Sequence, residues 1–224
     1  MSADRRTSVP FDPFYFEREA VEGRRYSTEE TFRKIYRSNH WGAQERSGAG
    51  ASVDQAAVLA QLDTLIEQFG IRTLLDVPCG NFAWMRHLRA DVHYIGGDVL
   101  PELARTNQER WGGPSRTFAA IDILKDALPA ADLLLCRDCL VHFSFADAAA
   151  ALRNIRRARC RWLLTTTFPN CTANEDIVTG DWRPLNLELP PFNLPAPHLL
   201  LNEQCTEGGD MFADKSLGLW RLER

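Results

Sequence analysis

Apolar positions recur along this chain in two rhythms that change over near residue 70. Upstream the spacing is helical. Ser27-x-x-Glu30 is a capping-box signature that opens a helix to about Ser38, because the serine hydroxyl serves the third helical amide while the glutamate reaches back. Ser52-x-x-Gln55 opens another, in which Val58, Leu62, Leu65, Ile66 and Phe69 share one face before Gly70 ends it. Between the two, residues 41–52 hold too much Gly and Ser for regular structure. Residues 1–26 mix charges, prolines and aromatics without a period and read as an arm that docks on the rest.

From Arg72 onward short apolar runs alternate with helical patterns. The runs predict strands near 72–77, 92–97, 116–121, 132–136 and 161–167, with helices near 82–89, 101–111 and 145–158. Pro101 suits a first helical turn, and Ser144 suits an N-cap. This alternation predicts a doubly wound α/β fold, a parallel sheet with helices on both faces. The tail departs from it: 199–203 and 217–222 read as two strands with no helix between them. The stretch 168–198 carries six prolines, so neither a helix nor a central strand can run far in it. A loop this long inside a compact domain usually has a function. It is expected to be an acceptor wall or lid, the alternative being a covering loop held by its own side chains.

At 224 residues and 45% apolar content, one well-buried domain is expected, with 1–52 as arm and helical cap and 53–224 as the main domain. The net charge of −4 and the confinement of clustered arginines (Arg153, Arg156, Arg157, Arg159, Arg161) to a predicted helix end argue against a nucleic-acid partner. No apolar run approaches the ~20 residues of a membrane span, and no signal-peptide core is evident, so no membrane partner and a cytoplasmic location are expected. Six scattered cysteines fit free thiols in a reducing compartment. Cys136-x-x-Cys139 lacks the second pair that a tetrahedral metal site requires, so no metal is expected; Cys136 should fill the end of a buried strand with Cys139 packed beyond it.

The chemistry concentrates where the first strand ends, in Leu75-Asp76-Val77-Pro78-Cys79-Gly80. A parallel strand that runs into a Gly-containing turn leaves backbone amides where nucleotide-like ligands sit in open α/β sheets. A second carboxylate, Asp98, ends the next apolar run 22 residues after Asp76, where such sheets place an acid against a ribose. The turn is not G-x-G-x-x-G, since Pro78 replaces one glycine, and a pyrophosphate would be poorly cradled. S-adenosylmethionine carries no phosphate and tolerates the change.

Together with Tyr94-Ile95-Gly96-Gly97-Asp98, Ile121-Asp122-Ile123 and Leu135-Cys136-Arg137-Asp138-Cys139-Leu140-Val141-His142, this segment resembles the class I S-adenosylmethionine-dependent methyltransferases. More narrowly, it is similar to a bacterial group with a Pro-Cys-Gly turn and a Cys-Arg-Asp-Cys segment. The likeness runs over roughly residues 30–222. Pro78 and Phe82 depart from it, standing where the broad superfamily has glycines. The resemblance implies a Rossmann-like, mostly parallel seven-stranded sheet with a C-terminal antiparallel strand pair, here with an N-terminal helical cap, and S-adenosyl-L-methionine as cofactor. It further implies that Asp98 meets the ribose, Gly80 the methionine part, Asp76 the ammonium end and Asp122 the adenine amino group, with Leu100 and Ile123 around the ring. Pro78 and Arg137 complete the cofactor side.

The expected reaction is methyl transfer to an oxygen or nitrogen of a small-molecule acceptor, which requires mainly in-line positioning. Asp138 or His142 is the expected base. Arg137 and Arg183 could together grip an anionic acceptor as guanidinium forks, and Trp41 and Trp182 would complete an acceptor pocket built from three distant segments. The alternatives are another use of the same cofactor, aminocarboxypropyl transfer or cyclisation, and a non-catalytic adenosyl-ligand binding module. A homodimer is compatible with the sequence.

Overall fold

The computed structural model describes residues 12–40, 55–206 and 209–222. The chain opens with helices α1 (Tyr15–Val21), α2 (Thr28–Ser38) and α3 (Gln55–Phe69). There follow β1 (Thr73–Asp76), β2 (His93–Asp98), α4 (Pro101–Trp111), β3 (Arg116–Ala120), β4 (Ala131–Cys136), α5 (Phe145–Arg157), β5 (Cys160–Thr167), β6 (Leu199–Asn202) and β7 (Ser216–Arg221). The capping box of α2 forms as read, with Ser27 and Glu30 bonded to each other's amides. Pro101 occupies the first turn of α4, and Ser144 caps α5 by accepting from the Asp147 amide. The expected cap of α3 at Ser52 and the 41–52 loop, Trp41 included, lie outside the described residues.

The seven strands form one sheet in the order β3-β2-β1-β4-β5-β7-β6. The first five are parallel; β7 runs antiparallel beside β5, and β6 antiparallel beside β7. The terminal antiparallel pair is as expected. Alternate strand residues divide the core into two layers. Leu75, Leu134 and Leu163 face Ala148, Ala151, Leu152 and Ile155 of α5, whereas Leu74, Leu133, Leu135 and Leu164 face Val58, Leu62, Leu65 and Ile66 of α3.

One predicted element is absent. The helix expected over 82–89 is a sequence of turns with a single 3-10 turn at Met85–His87. Its start cannot be helical because Phe82 lies in the left-handed region, at φ 61°, and the Asn81 side chain accepts from the Ala83 amide instead. A bulky residue pays in strain for a conformation that glycine adopts freely. Here the strain is offset by burial: the Phe82 ring is 1% exposed and packs among Tyr94, Trp111 and Phe118. The residue that departs from the methyltransferase pattern is thus a core anchor of the turn.

The 168–198 segment is largely a cover. It buries Leu185, Leu187 and Leu194 in the layer shared with α5. Asn186 stitches it together, accepting from Glu188 and donating to the carbonyls of Pro169 and Cys171, while its own amide donates to Asn174.

At the end of β2 the side chains that follow β1 and β3 close over Gly97 on one face of the sheet, so that a side chain there would not fit. A Cβ on Gly97 would lie 2.8 Å from both Val77 Cγ2 and Ile121 Cδ1. Gly97→Ala should therefore destabilise by about 1–3 kcal/mol through overpacking, measured as a shift of the urea midpoint at unchanged m-value; wild-type stability would show that the strand ends adjust freely.

Candidate functional site

Because β1 has β2 on one side and β4 on the other, chain order reverses at this point of the sheet, and a crevice opens above the strand ends. Across it the sequence places at least one ionisable residue at the end of each of four strands. Asp122 follows β3, Asp98 ends β2, Asp76 ends β1, and Arg137 with Asp138 follows β4. All five line one cavity of about 1020 Å³, mouth included, which also takes in Pro78, Gly80, Leu100, Ile123, Cys139 and His142. Trp84, Leu103 and Phe143 line it as well, and α2 contributes Thr28, Phe32, Ile35 and Tyr36. Helix α2 thus covers this edge. Arg33 of α2 pairs with Glu102 of α4 at 3.0 Å and holds the cap down from outside.

Each buried charge at this edge is satisfied differently. Asp98 accepts from the amides of Gly80 (3.2 Å) and Leu100 (3.0 Å), so it organises the turn beneath it as well as facing the cavity. The same turn is fixed from α4, where Asn107 donates to the Gly80 carbonyl at 2.7 Å. Burial nevertheless lifts Asp98 to about 6, the amide bonds holding it back from going higher. Asp76 accepts from the Tyr94 hydroxyl at 2.6 Å, and burial raises it to about 7 against the pull of that bond and of Arg137. Asp122 is bonded to the Leu124 amide and to Lys125.

The largest group of charges was only half visible in the sequence. Arg137 forks onto Glu203, with Nε 2.7 Å and Nη2 3.1 Å from its carboxylate oxygens, and stacks over Trp84. Lys215 reaches both Asp138 (2.8 Å) and Glu203 (3.3 Å), and Arg137 stands 3.6 Å from Asp138. Two cations and two carboxylates, nearly all dry, make a closed quartet. Despite its burial, Asp138 is held down to about 2 by Lys215 and Arg137. Glu203 and Lys215 belong to the segment joining β6 and β7; only their charge, next to apolar strand residues, could have marked them.

His142 sits in a 3-10 turn, Leu140–His142, directly beyond β4. Its Nδ1 lies 3.0 Å from the main-chain carbonyl of Asp181. A carbonyl only accepts, so Nδ1 carries the proton and Nε2 the lone pair. Burial lowers the ring to about 4, which keeps it neutral at physiological pH.

Two expectations are corrected. Arg183 and Trp182 do not line the cavity among the described residues. The Arg183 guanidinium is spent on main-chain carbonyls, those of Leu140, Phe143 and Glu175, and Trp182 packs edge-on against Phe168 and Phe212. Arg137 and Arg183 therefore form no common fork for an anion. Cys136 and Cys139 are buried thiols, the first at the end of β4 and the second just beyond, as expected. Among the described residues no three His, Cys, Asp or Glu side chains stand together as a ligand set, and no helix is long and apolar enough to cross a membrane.

No family model and no curated protein matches the chain. Solved structures do match in fold. Mitomycin 7-O-methyltransferase MmcR superposes with a TM-score of 0.62 at 15% identity, over 91% of this chain and 62% of that one. The 1,6-didemethyltoxoflavin-N1-methyltransferase of Burkholderia thailandensis, solved with 1,6-didemethyltoxoflavin and S-adenosylhomocysteine, gives 0.58 at 17% identity over 93% and 90%. Human N-acetylserotonin methyltransferase, in complex with S-adenosylmethionine, gives 0.57 at 15% identity over 92% and 59%. The chain spans less than two thirds of the first and third of these proteins. What the chain shares with these methyltransferases is the fold.

Removing Glu203 leaves two buried cations, Arg137 and Lys215, to share the single carboxylate of Asp138. Glu203→Ala should cost about 3–5 kcal/mol, seen as a lowered melting temperature. Arg183→Ala takes the guanidinium from three carbonyls, of which Leu140 keeps the Phe143 amide and Glu175 lies on an exposed residue, and should cost about 1–3 kcal/mol, chiefly at Phe143; a wild-type melting curve for it would mean that water replaces the guanidinium without loss.

Proposed function

We propose that the protein is a class I S-adenosylmethionine-dependent methyltransferase that modifies an oxygen or nitrogen of a small, flat, uncharged acceptor. The observation that carries this reading is the single cavity at the β1/β4 reversal, with Asp98 and Asp76 at adjacent strand ends and an aromatic wall opposite. The residues present fit the cofactor. Asp98, bonded to Gly80 and Leu100 and facing the cavity, suits a ribose diol; Leu100 and Ile123 beside Asp122 suit a purine edged by an amino group. The Pro78-Cys79-Gly80 turn offers no multi-glycine cradle for a pyrophosphate.

When bound, the cofactor supplies an activated methyl group on a sulfonium. The chain's own work is to orient and to accept a proton. Asp76 would meet the ammonium end, with Pro78 and Arg137 bordering it. His142, neutral with its lone pair on Nε2, would take the proton of an acceptor O–H or N–H as the methyl bond forms. Asp138, paired with Lys215 and far below its usual range, is a poorer base and serves better to hold charge.

Charge in the cavity supports an uncharged acceptor. Among the described residues four carboxyl groups line it, and its one arginine is already matched by Glu203 and Asp138. A carboxylate or phosphate substrate would find no spare cation among the described residues lining the cavity, whereas Phe32, Ile35, Tyr36 and Phe143 offer a flat ring an apolar wall.

Calorimetry should show S-adenosylhomocysteine binding and none for NAD, and product analysis with an accepted substrate should release S-adenosylhomocysteine; methylthioadenosine instead would indicate aminocarboxypropyl transfer or cyclisation. Asp98→Ala should weaken that binding by about 1–3 kcal/mol, and unchanged affinity would remove Asp98 from the site. His142→Ala should lower turnover while leaving that affinity within about threefold, roughly 0.65 kcal/mol.

The affinity should also depend on pH. Asp98 and Asp76 are protonated in the free protein below about 6 and 7 and ionise as pH rises through those values. Hydroxyl and ammonium donors favour the ionised forms, so binding releases protons and strengthens with rising pH. S-adenosylhomocysteine should bind at least about tenfold more weakly at pH 5 than at pH 8; a flat profile would mean that neither carboxylate meets the ligand.

A further inference from the structure

The turn that carries His142 is held almost wholly by a four-residue stretch of the proline-rich segment. Four consecutive carbonyls, Leu140 to Phe143, each accept a hydrogen bond from Gly180 or Arg183. The Gly180 amide donates to His142 at 2.8 Å and the Arg183 amide to Val141 at 3.2 Å. The Arg183 guanidinium donates to Leu140 and Phe143, both at 2.8 Å. Within this stretch Asp181 makes contacts in two directions. Its main-chain carbonyl accepts a hydrogen bond from His142 Nδ1–H. Its carboxylate, on a residue 2% exposed, accepts from the amides of Phe16 (2.8 Å) and Glu17 (2.9 Å) in the first turn of α1.

Gly180 closes the junction. At φ 113°, a Cβ there would lie 2.5 Å from the Phe16 ring and 2.6 Å from the Thr31 methyl of α2. The same α2 presents Phe32 and Ile35 to the cavity. A buried carboxylate requires its donors, so the peptide that orients His142 is anchored where the N-terminal cap docks.

We propose that Asp181 is a positioning residue for His142, coupling the ring's orientation to docking of helix α1 through one residue's carboxylate and carbonyl. The proposal rests on His142 acting as the base. Seating of the cap over the cavity and alignment of Nε2 toward an acceptor then occur together, which ties proton removal to a closed site.

Histidine-selective nitrogen NMR of the full chain with S-adenosylhomocysteine tests this. Wild-type His142 should be neutral with the proton fixed on Nδ1. In Asp181→Ala the proton should spread over both ring nitrogens, and turnover should fall at least tenfold, with acceptor KM and S-adenosylhomocysteine affinity within threefold. Asp181→Asn, which keeps one acceptor oxygen, should lie between and is the variant to read if the alanine form does not fold. A fixed Nδ1 proton with wild-type turnover in the variant that folds would overturn the coupling. Loss of turnover with the tautomer unchanged would also overturn it, reducing Asp181 to scaffolding. Full turnover in His142→Ala would instead sink the base assignment, and the tautomer result would still decide whether Asp181 sets the ring.

Discussion

Charge brought out of water must find partners inside the protein, and this fold places most of its buried charge along one edge of one sheet. Asp122, Asp98, Asp76 and the Arg137-Asp138 pair stand at the carboxyl ends of β3, β2, β1 and β4, in the order of the strands themselves. Each solution to the burial problem recruits another part of the chain. Asp98 draws in the amide of Gly80 and so shapes the turn; Asp76 draws in Tyr94 from β2; Arg137 and Asp138 draw in Glu203 and Lys215 from the tail. The antiparallel hairpin at the end of the sheet thereby becomes part of the site without lining it.

The same requirement explains the proline-rich segment. Its arginine and aspartate face inward, where they meet backbone: carbonyls of the His142 turn for Arg183, amides of α1 for Asp181. Side chains that read as an acceptor grip are consumed in holding the scaffold. What lines the cavity instead, among the described residues, is an apolar wall contributed by α2 and Phe143, and four carboxyl groups.

Pairing also separates the roles of otherwise similar groups. Asp76 and Asp98, satisfied by neutral donors, are lifted by burial toward neutrality, so they can respond to a ligand's donors. Asp138, satisfied by cations, is driven the other way and fixed as a charge. His142, held by a carbonyl, is neutral with a defined tautomer.

Local periodicity sufficed for most of the architecture. The alternation of apolar runs with capped helical patterns marked the parallel strands and their helices, and its failure after residue 198 marked two more strands, because strand and helix spacing are properties of neighbouring residues; the antiparallel setting of that last pair was implied by the family resemblance alone. Asp76, Gly80, Asp98, Asp122, Arg137 and His142 were legible for the same reason: a residue at a strand end keeps its place at the crevice whatever surrounds it. What the helical pattern over 82–89 misjudged was the backbone at Phe82, which a distant aromatic cluster holds in the left-handed region. Glu203 and Lys215, 66 and 77 residues beyond their partners Arg137 and Asp138, carried no local sign of that pairing beyond their charge. Nor did the turning inward of Trp182 and Arg183. Which charges face the cavity and which are spent inside depends on pairings across the fold, and sequence spacing carries no information about those.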